Sequence, residues 1–209
     1  MRFILPLALA LAAASPIYAQ QKLLTPTLAP PDPKTPPARS FSDPHSGVTF
    51  QVPAGWALTR KDHEVSTFNL DARTATHSTQ MRAVANITFN PFPLSTFSGA
   101  YFYSSVTPHV NDADCARQAS AQNPHPATTA TVGGTTFTHG YDEHGGVCTE
   151  SRDEIYTTAR NGSCYRFDLV INNFCGGDVS GVRDMTDKEL ESVRKRLQAI
   201  LATVQFDKK

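Results

Sequence analysis

Four residues in one six-residue window, His139, Asp142, Glu143 and His144, carry side chains of the kind that ligate divalent metals. On an extended strand His139 and Tyr141 share one face while Asp142 points to the other, so only a bent hairpin tip gathers all four. The same composition is ordinary for a polar, solvated turn. A metal site at this tip is therefore the rival to a plain hairpin. Four cysteines, Cys115, Cys148, Cys164 and Cys175, lack the close Cys-x-x-Cys spacing that zinc favours. In an exported chain they are expected to pair as two disulfides.

Other chemistry is marked by missing patterns. There is no Gly-x-Ser-x-Gly elbow, no His-Glu-x-x-His, no Walker loop and no dinucleotide fingerprint. With the cysteines oxidised, a thiol nucleophile is lost as well. The expectation is a protein without catalytic activity and without a cofactor. Two polar or aromatic groups remain as candidate binding residues. Tyr101-Phe102-Tyr103 could line an exposed groove, since aromatics give large contact area with few rotamers to freeze, although burial preference favours a core role. Arg166 and Asp168 share one strand face, with Arg152 and Glu154 on the facing strand. They read as solvent-side ion pairs, each worth about 0–1 kcal/mol, or as the lining of a polar pocket.

Charge narrows the partners. Nineteen basic residues balance nineteen acidic ones, and only Arg194-Lys195-Arg196 forms a basic cluster. Nucleic-acid binding needs a basic stripe to neutralise phosphates, so it is disfavoured. The cluster itself fits the end of a helix, where cations complement the dipole.

The elements that must position these residues begin with an address. Arg2, the apolar run Phe3–Ala14 and a small residue at Ala19 have the layout of a secretory signal peptide over residues 1–19. A second long apolar run is missing, so the expected product is soluble, without a membrane span, and periplasmic or extracellular. Residues 20–40 hold Pro26, Pro30, Pro31, Pro33, Pro36 and Pro37, which favour an extended, disordered tether. Residues 41–209 are expected to form one domain.

Within that domain Gly47–Val52 alternates as a half-buried strand, and Pro53-Ala54-Gly55 is expected to return Trp56–Arg60 antiparallel to it. Further strands are expected at Val65–Leu70 and Met81–Phe89. The stretch Ser95–Gln122 is mixed, with a short helix over Asp112–Ala121 carrying Cys115. Thr135–Tyr141, Thr149–Arg160 and Ser163–Asn172 read as successive antiparallel strands, joined by Glu143-His144-Gly145-Gly146 and by Asn161-Gly162. Asn-Gly suits a two-residue type I′ turn. That turn pairs Arg160 with Ser163, Tyr156 with Phe167 and Cys148 with Cys175, nominating a Cys148–Cys175 disulfide and leaving Cys115 for Cys164. Near the end, Thr186 and Glu189 form a capping-box pattern, and Leu190, Val193, Leu197, Ile200, Leu201 and Val204 recur at helical spacing. Phe206 follows as an anchor.

The strand leading into Val52-Pro53-Ala54-Gly55-Trp56, the run of antiparallel strands and the closing amphipathic helix resemble the PsbP-like superfamily. The resemblance implies an α+β fold: an antiparallel sheet of six to seven strands flanked by helices as an α/β/α sandwich. Bacterial members are often exported proteins of unassigned role, and the resemblance carries no site residue over. The resulting expectation is an exported binding or interaction module, with an unidentified protein or small-molecule partner in the cell envelope. The alternative is a metal-dependent protein or enzyme using the His139/His144 tip.

Overall fold

The computed structural model describes residues 35–64, 78–120, 126–176 and 181–207. The chain divides into two units, Met1–Pro33 and Lys34–Lys209, and every element below belongs to the second. The expected signal peptide, the tether as far as residue 34 and the expected strand Val65–Leu70 lie outside the described residues.

Two antiparallel sheets organise the second unit. β1 (Arg39–Asp43), β2 (Val48–Val52) and β10 (Gln205–Phe206) form a small sheet in the order β1-β2-β10. The large sheet holds β3 (Trp56–Glu64), β4 (Gln80–Ile87), β5 (Phe97–Pro108), β6 (Thr128–Val132), β7 (Thr135–Gly146), β8 (Thr149–Arg160) and β9 (Ser163–Phe174). Its order is β3-β4-β5-β9-β8-β7-β6. Among the described residues two helices complete the set, α1 (Asp112–Arg117) and α2 (Asp187–Leu201). The fold is thus α+β with a seven-stranded antiparallel sheet and a closing helix. Among the described residues no helix is long and apolar enough to cross a membrane.

Local chemistry explains the best-defined hairpin. Asn161 and Gly162 both adopt positive φ, 50° and 72°, as a type I′ turn requires. The register then runs unbroken from Arg160↔Ser163 through Tyr156↔Phe167 to Thr149↔Phe174. α2 starts as its sequence suggests: the Thr186 side chain accepts from the Glu189 amide, and Glu189 reaches back to the Thr186 amide. Its buried residues are Val193, Leu197, Ile200 and Leu201. The basic cluster does not sit at the helix end, since the last turn holds no basic residue. Arg194 lies mid-helix and pairs instead with Glu154 on β8.

Three features differ from the sequence reading. Strand β3 does not return on β2 but pairs with β4. The Gly55 carbonyl accepts from the Thr88 amide at 2.9 Å and its hydroxyl at 2.8 Å, which fastens the turn to the end of β4. The ladder positions of β2 are filled by β1 and β10. Second, the mixed stretch before α1 contains β5, a twelve-residue central strand. It is buried on both faces, Phe102 on one and Tyr103 on the other, so it lacks the alternation that marks a half-buried strand. Third, β1 begins at Arg39, inside the stretch assigned to the tether.

Each face of the large sheet has its own cover. On one, Phe102, Phe137, Tyr156, Phe167 and Leu169 pack with α2 and with Phe41, Phe50 and Val52 of the small sheet. Phe50 meets Phe102 edge-on at 5.1 Å. Asp43 brackets the two sheets: Arg82 on β4 donates to both of its oxygens at 2.7 and 2.9 Å, and Ser46 adds a third bond at 2.6 Å. Burial raises the Asp43 carboxyl, but these donors together with the His45 amide outweigh it and hold the group far below the usual carboxylate range.

The other face carries Met81, Tyr103 and Val170, and α1 is pinned there by the Cys115–Cys164 disulfide. Just beyond α1 the backbone lies directly on Gly140 of β7, where a Cβ would stand 1.5 Å from the Ala119 carbonyl oxygen. Gly140→Ala is therefore expected to cost about 1–3 kcal/mol, because backbone rather than a flexible side chain must give way. Urea denaturation measures this; an unchanged midpoint would mean that α1 does not press on the sheet.

Candidate functional site

The expected hairpin tip is resolved into strand. β7 continues to Gly146, and the turn falls at Val147-Cys148 rather than at residues 143–146, with Cys148 at φ 57°. Alternation therefore splits the four candidate ligands. His139 and Glu143 lie on the α2 face and Asp142 and His144 on the α1 face, as the pairings His139↔Tyr156, Glu143↔Arg152, Asp142↔Asp153 and His144↔Ser151 require. Among the described residues no group of three or more His, Cys, Asp or Glu side chains is placed to hold a metal ion. Each candidate has local company instead. His144 Nδ1 lies 3.5 Å from Asp142, and Glu143 accepts from the Tyr141 hydroxyl at 2.8 Å.

His139 belongs to a clamp between β8 and α2. Its ring stacks on Tyr156 with centroids 4.4 Å apart, and its Nε2 lies 3.7 Å from Glu154. Glu154 accepts from Tyr156 at 2.9 Å and pairs with Arg194 of α2. Burial raises the Glu154 carboxyl, yet His139, Arg194 and Tyr156 outweigh it and keep the group below its ordinary range. No hydroxyl or thiol is bonded to His139 Nε2. The arrangement fastens α2 to β8.

The other candidates are placed as follows. Tyr101-Phe102-Tyr103 lies on β5 and fills both layers: Phe102 is in the main core, while Tyr101 and Tyr103 stack at 5.9 Å on the opposite face. Arg166 and Asp168 are fully buried and joined by hydrogen bonds of 2.6, 2.8 and 3.0 Å. They are not solvent-side, and the register puts Arg152 and Glu154 on the other face of the sheet. Cys148 and Cys175 are not joined to each other, and Cys175 keeps a thiol. The ladder ends at Thr149↔Phe174, one pair short of them, because Cys148 is used in the turn.

What the structure does assemble is a cleft of about 530 Å³ at this end of the sheet. Glu143, Glu150 and Arg152 are among its polar residues, and Met185 and Leu190 line it from just before and within α2. Arg152 Nη2 lies 3.2 Å from Glu143 and 2.8 Å from Glu150. With the Asn173 amide turned to satisfy both neighbours, its oxygen accepts from Arg152 Nη1 at 2.6 Å. Burial raises the Glu143 carboxyl, but Tyr141, Glu150 and the Arg152 charge bring it below the usual range. These three residues are thus a preorganised, self-paired charge cluster in a cleft that Met185 and Leu190 also line, which suits holding a ligand. Sequence reading missed the cleft because its wall comes from residues just before and within α2. The Asn-Gly register alone would have set Glu150 opposite Asn173.

No family model matches the chain, and no curated protein matches it. Solved structures similar to this chain include the following two. A crystal structure from Bacteroides thetaiotaomicron has a TM-score of 0.44 at 12% identity, covering 82% of this chain and 49% of that one, so the chain spans about half its length. The solution structure of cyanobacterial PsbP (CyanoP) from Synechocystis sp. has a TM-score of 0.43 at 11% identity, covering 82% of this chain and 93% of that one.

Proposed function

We propose that the protein is an exported binding module without catalytic activity, and that the cleft between the ends of β7–β9 and the start of α2 seats its ligand. The observation that carries this reading is the charge cluster itself: Arg152 held between Glu143 and Glu150 in a cleft that Met185 and Leu190 also line. Paired charges together with apolar lining residues recognise a ligand with both a polar and an apolar end, a small molecule or a peptide segment. Export is supported by the signal-peptide layout and by the Cys115–Cys164 disulfide, which persists in an oxidising compartment such as the periplasm or the cell exterior.

The test is ligand-observed NMR against a fragment library, repeated on Asp184→Trp, a substitution at an exposed position of the cleft wall. Fragments that bind the parent are expected to lose at least about tenfold in affinity, or about 1.4 kcal/mol. Hits indifferent to the tryptophan would remove the cleft from the proposal, and robust turnover in a hydrolase screen would remove the non-catalytic reading.

A further inference from the structure

The two edges of the large sheet are built differently. β3 carries Arg60, Lys61 and Asp62, and its register shifts between Arg60 and His63. Charges and a bulge are the usual means of stopping an edge from adding another strand. β6, at the other edge, has neither. Its sequence is Thr128-Thr129-Ala130-Thr131-Val132, its pairing with β7 is unbroken, and no charged residue occurs between Pro126 and Thr138. Thr128, Thr129 and Thr131 are exposed, while Ala130 and Val132 pack on the main core. Among the described residues β6 is the last strand of the sheet, so one side of its ladder has no strand neighbour.

We infer that β6 is a contact between two copies of this chain, the two strands pairing antiparallel about a two-fold axis at Ala130. Such pairing sets Thr129 against Thr131 of the second copy and Thr128 against Val132 of the second copy. Thr129 and Thr131 meet on the α1 face, and Ala130 meets itself on the core face. An identical partner is the demanding case for an edge, because any net charge on the strand meets the same net charge on its copy. This edge holds none, so no repulsion arises, and β-branched residues suit the pairing. The charged, bulged β3 edge disfavours head-to-tail addition of β3 to β6, so the contact closes as a dimer rather than growing into a fibre.

Sedimentation equilibrium of the purified protein up to about 100 μM, within reach of a small interface, is expected to show twice the monomer mass. The Thr129→Lys/Thr131→Lys variant places Lys against Lys and is expected to run as a monomer, as is Thr129→Glu/Thr131→Glu. Mixing the two restores the dimer by pairing opposite charges. Circular dichroism checks that each variant is folded. Should either fail to fold, hydrogen exchange on the parent gives the readout, with β6 amides gaining protection as concentration rises. A parent that stays monomeric, a Lys variant that stays dimeric, folded variants that do not reassociate on mixing, or β6 exchange independent of concentration would each overturn the inference.

Discussion

Asp168→Asn is expected to lower the unfolding free energy by about 3–5 kcal/mol, the cost of removing one partner from a buried ion pair. Both Asp168 and Arg166 have no solvent exposure, and three hydrogen bonds join the guanidinium to the carboxylate. Asn keeps the shape and removes the charge, which leaves Arg166 desolvated without this counter-ion. The neighbouring Asp153→Asn is expected to behave in the opposite way. Asp153 is buried on the same face, and Asp168 and Asp142 lie nearby. Burial first, and then the negative charge of Asp168, push its carboxyl well above the ordinary range, while Arg166 opposes them.

The folded state therefore keeps a proton on Asp153 that the unfolded chain releases near pH 4. Its contribution is fully present below that pH and is lost as pH rises toward the raised folded value. Urea melts at a series of pH values are expected to show Asp153→Asn gaining on the parent from about pH 4 upward, and matching or exceeding its stability at neutral pH. An Asp168→Asn midpoint equal to that of the parent would mean that the Arg166 charge is compensated elsewhere. A difference between Asp153→Asn and the parent that does not change with pH would mean that Asp153 is ionised in the fold.

The second large effect concerns the disulfide. Cys115→Ala/Cys164→Ala is expected to lose about 2–4 kcal/mol, because the bond closes a long loop, with a sequence separation of 49, and so restricts the unfolded chain. It also holds α1, a six-residue helix too short to be stable alone, against β9. Reduction of the parent should reproduce the loss and expose the α1 amides to hydrogen exchange. Equal stability of the parent and the double variant would show that packing at Gly140 is sufficient to hold α1.

Much of the fold was legible in the chain because it is locally encoded. Asn161-Gly162 determines a turn through two positive φ angles, and with it twelve cross-strand pairs from Arg160↔Ser163 to Thr149↔Phe174. Thr186 and Glu189 begin α2, and its helical period selects the buried residues. The Cys115–Cys164 bond forms, but the Cys148–Cys175 pairing that the same register nominates, and from which it was left over, does not. The candidate site was read less well. Its four residues were seen, but the turn beyond them carries no Asn-Gly signal, so the extension of β7 to Gly146 was missed and with it the separation of His139 from Asp142 and His144.

By itself the sequence determined what depends on near neighbours: turn type, hairpin register, helix start and amphipathic face. Only the tertiary structure decided that β5 runs through the middle of the sheet, that β3 leaves β2 for β4, that Arg166 and Asp168 are buried, and that the cleft lies beside Arg152. The physical reason is that desolvation and layering depend on residues distant in the chain. A strand covered on both faces loses its period, and a charge reads the same in sequence whether water or a second layer lies over it.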